Sequence, residues 1–176
     1  VISREQFEAV LRAQEHVDVQ PLPGQESSWL VSMEGRVRQR VNVAVVLRPD
    51  RVSFYFFMVR GPRENHQQLY QLLLRKNLRT FAMKYCLDAD GDVWLVAELP
   101  RNGFDGGELD RILGVFHQES ESAFEALVHL GYPGVFAPLP RQPAGRPIPI
   151  DKAGPATPDV ASPRGPSPIP TESSPN

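Results

Sequence analysis

Phe7, Val10 and Leu11 recur at the spacing of one helical face, with Ile2 just ahead of them. That periodicity predicts a first helix from Ser3 to about Glu15. Ser3 stands where an N-cap is needed: its hydroxyl can accept from a free amide of the first turn. Gln6, three residues on, can return a bond to the Ser3 amide and complete a capping box. Ile2 and Phe7 occupy the apolar positions that flank such a cap. Val17 to Ser27, interrupted by Pro21, Pro23 and Gly24, reads as a loop.

The period then drops to two. Trp29, Val31 and Met33 alternate with more polar neighbours, and Glu34-Gly35 makes a turn. Val37, Val41, Val43, Val45 and Leu47 share one face of the next strand, with Arg36, Arg38, Arg40 and Asn42 on the other. After a turn at residues 48–51, the run Val52 to Val59 is apolar on both faces. Val52, Phe54, Phe56 and Met58 point one way, and Tyr55, Phe57 and Val59 the other. A strand that needs cover on both sides is central.

Gly61-Pro62 is expected to open a second helix, with Pro62 at the first helical position, Glu64 near the positive end of the dipole and Asn77 as C-terminal cap. Leu69, Leu72 and Leu73 form its buried stripe. Phe81 to Leu87 and Val93 to Leu99 then read as a hairpin across Asp88 to Asp92, with Trp94 and Val96 on one face. Asp105 and Glu108 make a second capping box, stapled by Phe104 and Leu109, and the stripe that follows runs to about Leu130, ahead of Gly131 and Pro133. The order is α-β-β-β-α-β-β-α, which argues for an α+β fold with a five-stranded, largely antiparallel sheet. The domain is expected to span residues 1–137. Residues 138–176, dense in Pro, Gly, Ser and Ala, are expected to be a disordered tail.

Composition narrows the function. A net charge of −2 gives no global attraction to nucleic acid or anionic lipid. No stretch approaches the ~20 apolar residues of a membrane span, and the charged N-terminus lacks a secretory signal, so a cytoplasmic protein is expected. Cys86 is the only cysteine, which excludes an intramolecular disulfide and a thiolate metal cage; its apolar surroundings predict burial. His16, His66, His117 and His129 form no helical metal-ligand pair. Asp88, Asp90 and Asp92 lack the glycine and closing glutamate positions of a calcium loop and suit a hairpin turn. No phosphate-binding, dinucleotide or nucleophile-elbow pattern occurs. No catalytic residue, metal or cofactor is therefore predicted. Arg36, Arg38 and Arg40 read as a solvated strand face that discourages stray pairing rather than as a nucleic-acid stripe.

What remains is binding. Three helices of these lengths are not expected to cover both faces of the sheet, so Tyr55, Phe57, Val59, Trp94 and Val96 become the candidate protein-binding surface, in a chain expected to form a homodimer. The alternative is a small-molecule or nucleotide sensor, with an anion held by Arg60, Arg63 and Asn65 at the start of the second helix.

The string Arg60-Gly61-Pro62-Arg63-Glu64-Asn65, the leucine helix after it, and the stretch from Asp88 to Trp94 resemble the YbjN family of bacterial sensory transduction regulators. The element order looks like the type III secretion chaperone fold. The resemblance covers Ile2 to Tyr132 and leaves out the tail. It implies a cytoplasmic bacterial protein, often dimeric, with a chaperone-like or regulatory adaptor role and no catalytic residues to carry over.

Overall fold

In the computed structural model, which describes residues 1–135, the chain builds three helices and six strands. They are α1 (Arg4–Arg12), β1 (Val17–Pro21), β2 (Ser28–Glu34), β3 (Arg40–Leu47), β4 (Arg51–Val59), α2 (His66–Asn77), β5 (Met83–Leu87), β6 (Val93–Pro100) and α3 (Gly106–Gly131). The strands form one sheet in the order β1-β2-β3-β4-β6-β5, antiparallel throughout. The α+β class and the antiparallel sheet are as the sequence predicts, and the central position of β4 follows from its two-sided apolar run. The expected tail lies outside the described residues.

The sixth strand is a correction. Val17 to Ser27 does not form one loop, because Val17–Pro21 pairs with β2 from Val17 opposite Met33 to Pro21 opposite Trp29. Val17 and Val19 carry the alternation of a short edge strand. Pro21 is tolerated at its end because an edge position needs no amide there.

Helix ends obey local chemistry, with four departures. At α1 the capping box is complete: Gln6 N donates to Ser3 Oγ and Ser3 N to Gln6 Oε1. The helix nevertheless ends at Arg12, short of Glu15. At α3, Asp105 accepts from Glu108 N, but the Glu108 carboxylate turns to Arg111 (2.7 Å), so only half the predicted box forms. Helix α2 begins at His66, four residues beyond Pro62. The intervening segment caps the end of α3: Gly131 O accepts from the amides of Arg63 (2.9 Å) and Glu64 (3.2 Å), and Asn65 Nδ2 donates to Leu130 O (2.9 Å). Those bonds hold Asn65 at φ 55°. Gly131 keeps this junction close: a Cβ there would lie 3.1 Å from that of Pro62, and the neighbours would have to give by a few tenths of an ångström. Gly61 completes the knot, donating to Asp92 Oδ1 and accepting from the Tyr132 hydroxyl, each at 2.7 Å.

Asn77 is not the C-cap, which is Leu78. Its side chain instead treats β5 as a neighbouring strand would: Oδ1 accepts from Tyr85 N (2.7 Å) and Nδ2 donates to Tyr85 O (3.1 Å). The Thr80 hydroxyl does the same for Met83 O at 2.9 Å.

The core lies between one sheet face and the helices. Phe7, Leu11, Val31, Val43, Val45, Phe54, Met58, Leu69, Leu95, Ile112, Phe116 and Leu127 are fully buried in it. Rings meet across it, with Phe7 5.4 Å from Trp29 and 5.5 Å from Phe104. Burial at this scale is the main driving force of the fold.

The β2–β3 connection is pinned to α3. The Glu121 carboxylate accepts from the amides of Arg36 (3.0 Å), Val37 (2.9 Å) and Arg38 (3.4 Å), and His117 Nε2 donates to Glu34 O one helical turn earlier. Desolvation pushes the Glu121 carboxyl upward, but the Val37, Arg36 and Arg38 amides, with His117, outweigh it and leave the pKa lowered. This connection corrects the expected arginine face: only Arg40 belongs to β3, and Arg38 folds inward. Its guanidinium stacks over Phe124 (4.6 Å) and Phe56 (5.1 Å) and donates to Phe57 O and Met58 O. Pairing between β3 and β4 ends at Val43 opposite Phe56, so Arg38 supplies donors to carbonyls that β3 leaves behind. Desolvation lowers the Arg38 pKa, against the raising effect of Glu121.

Candidate functional site

The second face of the sheet carries no helix among the described residues. Leu30, Ala44, Tyr55, Val96 and Lys84 stand in one row across β2, β3, β4, β6 and β5. Phe57, Trp94 and Cys86 form the adjacent row. Leu30, Ala44, Val46, Tyr55, Phe57, Trp94 and Val96 are all half-buried, with no second layer over them among the described residues. The sequence brings them together because every second residue of a strand must face this side.

The aromatics are held in place. The Phe57 and Trp94 rings meet edge to face at 5.4 Å. Trp94 Nε1 donates to Asp88 Oδ2 at 2.8 Å, which satisfies the indole and fixes its orientation. A polar rim closes one end: Ser53 Oγ (3.2 Å) and Arg51 Nε (3.0 Å) donate to Glu98, and Arg48 reaches the Tyr55 hydroxyl at 3.5 Å. Arg48 Nε is buried without a hydrogen-bond partner among the described residues.

Val59 leaves this face, which corrects its assignment beside Tyr55 and Phe57. The register shifts between Phe57 and Val59, so the extra residue turns Val59 into the core, 5% exposed and opposite the buried Val93. A bulge of this kind reverses the alternation beyond it. Cys86 moves the other way. It is exposed, not buried, because Tyr85 takes the covered side of β5 and the next residue must face out. Desolvation and then Asp88 raise its thiol pKa, so it stays protonated and a poor nucleophile.

The structure gives the Arg60–Asn65 segment mostly internal work. The amide of Arg63 and the side chain of Asn65 serve the end of α3, while the Arg60 and Arg63 side chains are exposed. Two of the three aspartate carboxylates are likewise engaged internally: Asp88 Oδ1 accepts from the amides of Asp90 and Asp92, and Asp92 Oδ1 accepts from Gly61 N.

Two features escaped the sequence reading because their parts are far apart in the chain. The Tyr85 hydroxyl donates to Glu119 Oε2 (2.6 Å), which also pairs with Lys76 (3.1 Å). Desolvation first, then Glu119, raises the Tyr85 pKa. A cleft of about 580 Å³ opens between the α1–β1 connection, β2 and α3, where Glu15, Asp18, Glu34 and Asp110 surround Val17, Met33 and Leu113. His117 lines it with its ring committed to Glu34 O.

Among the described residues no helix is long and apolar enough to cross a membrane. Curated relatives include the uncharacterized protein Rv0487 of Mycobacterium tuberculosis, 33% identical over 113 residues, which covers 64% of this chain and 62% of that protein. The uncharacterized protein ML2442 of Mycobacterium leprae is 35% identical over 103 residues, covering 58% and 56%. The chain therefore spans about three-fifths of the length of these relatives. Among solved structures, a chain of the heterodimeric ExoU-SpcU complex from the type III secretion system of Pseudomonas aeruginosa aligns with a TM-score of 0.44 and 16% identity, over 69% of this chain and 87% of that one. The profile of the YbjN family, described as "Putative bacterial sensory transduction regulator", matches residues 3–129, and the chain belongs to that family.

Proposed function

We propose that this protein is a non-catalytic protein-binding module, a chaperone-like or regulatory adaptor. Its contact surface is the open sheet face around Tyr55, Phe57, Trp94 and Val96. The observation that carries the reading is the half-buried aromatic band on a sheet whose other face is fully packed. An apolar band on rigid strands is pre-organised, so a partner that covers it loses little entropy in ordering the surface. In the absence of another partner, a second copy of the chain covers the band, which makes the protein a homodimer.

Light scattering coupled to size exclusion tests this on the full chain. Wild type is expected to elute as a dimer, and Phe57→Ser or Trp94→Ser as a monomer that binds more hydrophobic dye, with helical circular dichroism unchanged. A wild-type monomer that binds no dye and acquires no partner-dependent protection of Trp94 fluorescence would sink the reading.

A further inference from the structure

We infer that the outward ridge of α2, with the turn that follows it, docks an acidic amphipathic helix of a partner protein, at a place separate from the open sheet face. Leu69 and Leu73 already supply the core-facing side of α2. Yet Leu74 is 66% exposed, Leu78 87% and Phe81 73%, which leaves a second apolar stripe without cover among the described residues. Leu74 and Leu78 lie four residues apart, and side chains at that spacing form the ridge that packs into the groove of another helix.

The charge carried by this segment is one-sided. From Asn65 to Leu87 the chain carries Arg75, Lys76, Arg79 and Lys84 and no aspartate or glutamate, in a protein whose net charge is −2. Lys76 is neutralised by Glu119. The Lys84 ammonium donates to the carbonyls of Asn77 and Thr80 and stays beside the end of the helix. Arg75 and Arg79 are exposed and make no ion pair among the described residues. Across the patch, the Arg111 guanidinium sits 5.2 Å over the Phe81 ring and pairs with Glu108.

This combination selects the occupant. Carboxylates flanking an apolar stripe complement Arg75 and Arg79, and such complementarity speeds encounter and rejects partners of the wrong sign. A second copy placed symmetrically on the ridge would set Arg75 and Arg79 against their own counterparts. A lipid surface suits Leu74 and Leu78 but not the exposed Gln67 and Gln71, which continue the same stripe and ask for hydrogen-bonding partners.

The probe is a labelled synthetic helix with a leucine stripe flanked by glutamates, followed by fluorescence anisotropy with the full chain. A matched peptide bearing lysines and vesicles of phosphatidylglycerol serve as comparisons. The glutamate peptide is expected to bind about tenfold or more tightly than the lysine peptide, and Leu78→Ser or the double change Arg75→Glu with Arg79→Glu to weaken it by about tenfold, a loss of ~1.4 kcal/mol. Trp94→Ser is expected to leave this binding intact, which separates the ridge from the open sheet face. Equal binding of both peptides, binding unchanged by the ridge variants, or vesicle binding without peptide binding would each overturn the inference. So would a Leu78→Ser chain that turns from dimer to monomer, since the ridge would then belong to a second copy.

Discussion

Phe54 and Tyr55 are neighbours in β4, yet they live in different solvents. Phe54 is fully buried against Phe104 and Phe116, and Tyr55 is half-buried among residues of its own layer. The same contrast repeats along the strand and across its partners: Phe56 faces Leu95 in the core, while Phe57 faces Trp94 outside. Both faces are apolar, so hydrophobicity alone does not mark a core; a second packed layer does. An apolar face without that layer is free to act on something else.

Substitutions on the two faces put this contrast to the test. Phe54→Ala should cost about 3–5 kcal/mol in chemical denaturation, because it opens a cavity in a packed region. Arg38→Met should cost roughly 1–3 kcal/mol by stranding the carbonyls of Phe57 and Met58, and should raise hydrogen exchange at the bulge. Glu121→Gln should cost about 1 kcal/mol at neutral pH. Because the folded Glu121 pKa is lowered, its contribution is present above the unfolded value near 4.5 and fades as pH falls through the folded one. The gap between wild type and Glu121→Gln should therefore close on acidification, and a gap that widens in acid would contradict the carboxylate latch. Tyr55→Ser should have the smallest effect on the isolated fold, within about 1 kcal/mol. A loss as large as that of Phe54→Ala would mean that the two faces are equally covered.

Much of this was legible in the chain. The apolar run Val52 to Val59 announced a central strand with two demanding faces, and Ser3 with Gln6 announced a helix start through chemistry confined to four residues. What escaped was set by distant groups. Pro62 looked like a first helical residue, but Gly131, far along the chain, takes the amides of Arg63 and Glu64 and delays α2. Val59 kept its expected strand and lost its expected face, because the bulge that turns it depends on pairing with β6. Arg38 alternated correctly on paper with Arg36 and Arg40. Glu121 on α3 fixes the connection that redirects it. The open face needed only local alternation to be foreseen, and the cleft beside α3, assembled from residues 14 to 117, offered no such signal.

Asn77 and Thr80 give the sheet unequal margins. By occupying the outward amide and carbonyl of Tyr85 and the carbonyl of Met83, they obstruct one border of the layer, while the β1 border meets no further strand among the described residues. Runaway fibre growth by lateral addition requires two receptive borders on every unit. A molecule with one border obstructed can add a neighbour at the other and then stop, so a greasy sheet can be carried without inviting endless edge-to-edge growth.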